Sequence, residues 1–219
     1  MHTNAELQTA REQLVSCCGR LIADGLAVGA AGNMSVRVGE LVAITPSGVN
    51  YAELTAADIC ITTLAGDEVD APETPSSELP MHLAVYAATD AAAVVHTHSA
   101  EVIAVSATCE ELPAVHYAIT RLGGPVRVAG YTRFGSAGLA EVAIAALDGR
   151  RAAILQNHGA ICYGRTLTEA YDRALLLEWL ARVYRLARAH GAPRILSQAE
   201  LDEVAAEAKR RNYGERRQR

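Results

Sequence analysis

Three histidines in this sequence are spaced as metal ligands are. His96 and His98 alternate within the apolar run VVHTHS. On a strand, residues i and i+2 share a face, so the two imidazoles stand side by side with Thr97 turned away. A third, His158, follows the apolar run AAILQ and precedes a glycine in QNHG, where the missing side chain lets backbone approach a site closely. Three neutral imidazoles around one divalent ion make the open, catalytic type of zinc site, with a fourth position left for substrate. Nickel, cobalt and manganese accept the same ligands. The competing reading of an HxH pair is two hydrogen-bonded core histidines, and the second apolar segment ending in NHG shifts the balance toward metal. His116 and His82 qualify as ligands by residue type alone. His82, just after Pro80 on an expected helix, reads as buried and hydrogen-bonded; His2 and His190 fall near element ends and read as solvent-facing.

Three loops are dense in small donors: AAGNMS (30–35), TPSG (45–48) and PSSE (75–78). Gly32, Asn33, Ser47, Gly48, Ser76 and Ser77 offer backbone N–H groups, an amide and hydroxyls, the equipment of a phosphate site built from neutral donors. None is a P-loop, because no GxxxxGK[ST] occurs. Each loop taken alone also reads as an ordinary turn. Glu78, next to the serine pair, is a carboxylate suited to act as base or as metal ligand.

The bulk composition narrows the partners. With 20 Lys and Arg against 25 Asp and Glu, the net charge is -5, which gives no broad attraction to nucleic acid or to an anionic membrane. The basic tail KRRNYGERRQR reads as a solvated terminus. No run of about 18 apolar residues occurs, and charges interrupt the first 25 residues, so neither a membrane span nor a signal peptide is expected. The five cysteines (Cys17, Cys18, Cys60, Cys109, Cys162) contain no CxxC pair and read as reduced thiols of a cytoplasmic protein.

The elements that must hold these groups follow from periodicity. Residues 5 to about 25 predict an amphipathic helix, with Leu7, Ala10, Leu14, Cys17, Leu21 and Ile22 inward and Gly25 as its stop. MSVRV, LVAIT, ADICITTLAG, AAAVVHTHS, GPVRVAGY and AAILQNHGAICYG predict strands. Pro80 suits the first turn of a helix through about Thr89. Thr166 with Glu169 predicts a capping box opening a long helix to His190, closed by Gly191, and Ser197 with Glu200 repeats the device for a last helix. With no linker or repeat, residues 1–219 are expected to form one three-layer α/β domain. The alternation alone suggests a parallel sheet; the short early spacings fit hairpins equally.

The motifs AGNMSVR, ITPSG, PSSELPMHLAVY, VVHTHS, LPAVHYAI, YTRFGS and LQNHGAICYG together resemble the class II aldolase/adducin-head family, in its fuculose-phosphate aldolase branch. The likeness runs from the first helix through Tyr213. It implies a largely antiparallel central sheet flanked by helices, and C4 tetramers with active sites between subunits. By the same resemblance, His96, His98 and His158 bind zinc, and Glu78 completes the resting coordination before moving off as acid/base. Gly32, Asn33, Ser47, Gly48, Ser76 and Ser77 hold the phosphate, Tyr117 donates a proton to the aldehyde oxygen, Tyr213 reaches the site, and Phe134 lines the aldehyde pocket. The family often carries Thr where this chain has Ala30, which removes one hydroxyl donor.

The resemblance implies metal-dependent cleavage of a ketose 1-phosphate to dihydroxyacetone phosphate and a small aldehyde: lactaldehyde from fuculose- or rhamnulose-type substrates, acetaldehyde from 5-deoxyribulose 1-phosphate. The single lysine, Lys209, argues separately against a Schiff-base aldolase. Same-fold alternatives are methylthioribulose-1-phosphate dehydratase, ribulose-5-phosphate 4-epimerase and a non-catalytic adducin-head module. The epimerase needs an acidic partner where AVHYAI offers Tyr117, and interaction modules tend to lose the ligands that are all present here.

Overall fold

The computed structural model describes residues 4–211. Helix α1 (Asn4–Ala23) opens the chain and buries Ala10, Leu14, Cys18 and Leu21. The inward face is therefore rotated slightly from the expected one: Cys18 rather than Cys17 is fully buried, and Ile22 is exposed. Strands β1 (Asn33–Val38), β2 (Leu41–Ile44), β3 (Cys60–Thr63) and β4 (Glu68–Asp70) follow as a meander. Then come α2 (Leu79–Ala88), β5 (Ala93–Thr97), α3 (Ala100–Ser106), β6 (Glu111–Leu112), a 3-10 helix at Tyr117–Leu122 and β7 (Val126–Ala129). The last third holds α4 (Ala137–Leu147), β8 (Ala152–Leu155), β9 (Gly159–Gly164), α5 (Leu167–His190) and α6 (Gln198–Arg210).

Among the described residues, nine strands form one sheet in the order β4-β3-β2-β1-β5-β9-β8-β7-β6. Every ladder is antiparallel except β7 against β8. The parallel sheet suggested by alternation is thus corrected, and the largely antiparallel sheet implied by the resemblance is what the chain forms. Helices cover both faces. On one side α2 and α4 pack on Val42, Ile44, Val94, Ala153 and Ile161. On the other, α1, α3 and α5 cover Met34, Ala43, Val95, Ala160 and Cys162. That alternation of inward side chains along β5 and β9 is the period-two rule applied twice, once to each layer.

Two expectations about local structure change in detail. AAILQNHGAICYG is not one strand but the β8–β9 hairpin, joined by residues 156–158 with Asn157 at φ 54°. At the start of α5, Thr166 caps Glu169 N as expected, but the Glu169 carboxylate accepts from Arg165 N, one residue before the N-cap. The box at Ser197 and Glu200 forms in full. No described helix is long and apolar enough to cross a membrane. All five cysteines are free thiols.

Candidate metal centre

The site lies where β5 ends. Asn33 and His96 are direct partners across the β1–β5 ladder, so their side chains share a face. His98 lies just past the last residue of β5. His158 is the final residue of the β8–β9 turn, and β9 pairs with β5 through Thr97 and Ala160, which brings the turn beside His98. Gly159 makes this approach possible: a Cβ there would stand 2.0 Å from the Thr97 carbonyl oxygen.

Glu78 arrives from the opposite layer, as the N-cap residue of α2. An acidic N-cap ordinarily turns its carboxylate onto the first helical N–H groups. Here it makes no cap hydrogen bond, and Pro80 occupies the first turn. Proline has no N–H, so one of the donors a cap would serve is missing. The Glu78 carboxylate is turned instead toward the histidines.

The ligand atoms of Glu78, His96, His98 and His158 all lie within 4.8 Å of one another. His96 Nε2 is 2.9 Å from His98 Nε2 and 3.0 Å from Glu78 Oε2. His158 Nε2 is 3.2 Å from Glu78 Oε1. The three rings stand edge to face at centroid separations of 4.8–4.9 Å. His96 Nδ1 is 2.9 Å from the Ala160 carbonyl oxygen. A carbonyl only accepts, so Nδ1 carries the proton and Nε2 presents its lone pair to the cluster, the arrangement that orients a metal-binding histidine. Glu78 Oε1 is buried without a hydrogen bond. Converging lone pairs and an orphaned carboxylate oxygen form a donor set short of a cation, and a divalent ion fits it.

The electrostatics agree. Burial pushes the His98 pKa down to about 3, reinforced by the neighbouring His96 and His158 and opposed by Glu78. Burial alone would raise the Glu78 pKa, but His96, the His158 contact and the Asn33 amide outweigh it and hold the carboxyl well below the usual range. A neutral imidazole at His98 and an ionised carboxylate at Glu78 are states that ligate metal.

These groups open onto a cavity of about 400 Å³. All six loop residues named for the phosphate (Gly32, Asn33, Ser47, Gly48, Ser76 and Ser77) line it, with Glu78, His98, His158 and Phe134. Ala30 lines it too, at the position where a threonine hydroxyl was missed. Three discontinuous loops thus meet at one wall. The bridge between Pro46 and Pro75 ties two of them together, and Ser47 N donates to the Thr74 carbonyl.

Other expected residues lie elsewhere. Tyr117 is not among the residues lining this cavity. It is 55% exposed and stacks on His116 at 4.4 Å, while His116 stands edge-on to Trp179. His116 accepts from Ala118 N and is no part of the cluster. Tyr213 lies outside the described residues, as does His2. His82 is fully buried and hydrogen-bonded, and His190 is exposed. Lys209 sits in the last turn of α6 and does not line the cavity.

The cavity also uses Tyr131, Thr132 and Asn157, which the sequence reading passed over. Thr132 Oγ1 is buried without a partner. Asn157 carried a usable signal: Asn tolerates the left-handed conformation, which is how it turns the chain into His158.

A sequence profile of the Class II Aldolase and Adducin N-terminal domain matches residues 12–185. A 5-deoxy-D-ribulose 1-phosphate aldolase of Bacillus thuringiensis is 38% identical over 202 residues, covering 91% of this chain and 95% of its own. An L-fuculose phosphate aldolase of Escherichia coli is 37% identical over 205 residues, covering 92% and 94%. Among solved structures, an L-fuculose 1-phosphate aldolase superposes with a TM-score of 0.89 at 35% identity, over 92% of this chain and 96% of that one.

Proposed function

The chain belongs to the class II aldolase and adducin N-terminal domain family, and from that premise we propose that it is a zinc-dependent aldolase. It reversibly cleaves a ketose 1-phosphate of the fuculose 1-phosphate type to dihydroxyacetone phosphate and a small aldehyde. The observation that carries this reading is the convergence of Glu78, His96, His98 and His158 within 4.8 Å at a cavity whose wall is a set of small neutral donors. A binding module has no use for a buried carboxylate that turns one oxygen without a hydrogen bond toward three imidazoles.

His96, His98 and His158 would hold the ion. When bound, it supplies Lewis-acid stabilisation of the negative charge that develops on substrate oxygen. Gly32, Asn33, Ser47, Gly48, Ser76 and Ser77 seat the phosphate and so fix C3 of the substrate near Glu78. Asn33 gives one N–H to Glu78, and its amide nitrogen has a second to offer substrate. In the condensation direction Glu78 removes the C3 proton of dihydroxyacetone phosphate. Its basicity changes with position. Against the histidines the carboxylate is strongly stabilised; once displaced from them, burial remains and raises its proton affinity toward that of a working acid/base.

The aldehyde oxygen needs a proton as the new bond forms. We assign this to Tyr117 of a neighbouring copy in a cytoplasmic homotetramer, with Tyr213 as a second tyrosine reaching the site. Exposed, ring-stacked Tyr117 lies outside its own chain's cavity, and a site completed between subunits accounts for that. Phe134, 64% exposed, lines the aldehyde side of the mouth.

The test is a cleavage screen of zinc-loaded protein over fuculose, rhamnulose and 5-deoxyribulose 1-phosphates, with coupled detection of dihydroxyacetone phosphate. Cleavage abolished by chelator and restored by zinc is expected. A folded, metal-loaded protein that cleaves none of them refutes the reading.

A further inference from the structure

Behind Glu78 a line of buried polar side chains runs between β1 and α2. Asn33 Nδ2 donates to Glu78 Oε2 at 2.8 Å. Asn33 Oδ1 is 2.6 Å from His82 Nε2, His82 Nδ1 is 2.7 Å from Ser35 Oγ, and Ser35 Oγ is 2.6 Å from the Tyr86 hydroxyl. All are buried; Asn33 is the most exposed of the four behind Glu78, at 6%. The geometry follows from the two periodicities. Asn33 and Ser35 share a face of β1, and Glu78, His82 and Tyr86 recur every fourth residue along one side of α2.

The proton positions are not free. An ionised carboxylate only accepts, so Asn33 must turn its NH2 toward Glu78 and its carbonyl toward His82. That carbonyl also only accepts, so His82 carries its proton on Nε2. The lone pair is then on Nδ1, and Ser35 must donate its hydroxyl into it. Ser35 oxygen is left to accept from Tyr86. Every bond thus points from Tyr86 toward Glu78. Reversal would set the Asn33 carbonyl against a carboxylate oxygen. Bonds aligned in one direction polarise one another and stiffen the whole line. Burial, with His96 nearby and Glu78 opposing, pushes the His82 pKa down to about 3, consistent with a neutral ring.

A side chain that only filled this space would be served by Leu or Met without four buried polar groups to satisfy. We infer that His82 is a positioning residue: its Nε2–H locks the Asn33 amide in the one orientation that donates to Glu78, while Ser35 and Tyr86 lock the His82 tautomer. The catalytic consequence rests on the aldolase reading above; the hydrogen-bond assignment does not.

Two measurements test it. In 15N-labelled wild-type protein, long-range proton–nitrogen spectra should show His82 protonated at Nε2 and bare at Nδ1. In the zinc-loaded enzyme, His82→Leu should lower kcat for cleavage by about 10–100-fold, the loss seen when a partner supporting a ligand is removed. Its zinc content should stay near wild type. His82→Gln, whose amide N–H reaches toward the Nε2 position, should recover most of that loss. An Nδ1–H tautomer in the wild type overturns the proposal, whether or not the variants fold. So does a Gln variant no better than Leu, or a loss that only tracks the folded or metal-loaded fraction. If wild-type protein cleaves no ketose 1-phosphate while the spectrum shows Nε2–H, it is the aldolase reading that fails.

Discussion

Gly159→Ala is the substitution with the clearest expected consequence. A Cβ at Gly159 would stand 2.0 Å from the Thr97 carbonyl oxygen and 3.4 Å from His98 Cα. Cβ atoms do not sit closer than 3.0 Å to another heavy atom, so β5 and β9 must part by at least 1 Å at this point. The obstacle is backbone, with no flexible side-chain end to bend away. The parting falls between His98 and His158, which the proposed zinc would need at nitrogen distances of about 2.0–2.1 Å with about 0.2 Å of tolerance. A displacement several times that tolerance should weaken zinc binding by more than the 10–100-fold typical of losing a supporting hydrogen bond. That is more than about 1.4–2.8 kcal/mol. The assay is zinc competition against a chelator, on protein shown to be folded by circular dichroism. Gly19→Ala is the control: on the exposed side of α1 its Cβ would meet nothing within 4 Å, and it should add about 0.5–1 kcal/mol of stability with zinc affinity unchanged. A Gly159→Ala protein with wild-type zinc affinity and wild-type melting temperature would refute the packing argument.

Glu78→Gln should keep the fold and most of the zinc but lose about 10²–10⁴-fold in cleavage, because an amide cannot carry the C3 proton; near wild-type turnover would remove Glu78 from that role. Tyr117→Phe should lower cleavage by a similar factor while sparing solvent exchange of the C3 proton of dihydroxyacetone phosphate, which needs no aldehyde; equal loss of both activities in folded, zinc-loaded protein would move suspicion to Tyr213. Acid should destabilise the metal-free protein through His82, and through His98, whose pKa is depressed in the same way. The His82 pKa is depressed from 6.5 to about 3 by burial and His96, so its contribution is complete above pH 6.5 and is lost as pH falls from there toward 3, at up to about 1.4 kcal/mol per pH unit. Urea unfolding in chelator at pH 7, 6 and 5 measures this slope, and a flat profile would contradict it.

The sequence showed the site better than the scaffold, for physical reasons. His96 and His98 were legible because a strand's side-chain period is two, and the three donor loops because Gly, Ser and Asn mark turns. Helix starts at Thr166 and Ser197 were legible because their caps are local. The β8–β9 hairpin was hidden because both arms are apolar and its turn, QNH, lacks the usual glycine pair. Helices α3 and α4 were hidden by continuous Ala and Val, which carry little 3.6-residue contrast; α4 buries Leu139, Ala140, Ala143, Ala146 and Leu147 from such a run. The direction of β5 could not be read from spacing, since it finds β1 and β9 across about 60 residues on either side. His82 was placed in the core by residue type, but its partners Asn33 and Ser35, 49 and 47 residues away, follow only from the fold.

The two glycines that flank the centre acquire a different meaning once the sheet is known. Gly32 reads in sequence as a phosphate donor, and Gly159 as a place for close approach. In the fold they do the same job on opposite sides of β5. Gly32, at φ 76°, lies so near that a Cβ would be 2.8 Å from the His96 carbonyl oxygen; Gly159 presses on the Thr97 carbonyl from the other side. The end of β5 is clasped between them. Asn33, next to Gly32, thereby meets Glu78, and His158, next to Gly159, meets His98. A metal site tolerates errors of only a few tenths of an ångström, and loops alone rarely hold groups so tightly. Here both loops are seated against one strand by close backbone contact. This explains why a chemistry assembled from four separate segments would need glycine beside its proposed ligands rather than only in its proposed phosphate wall.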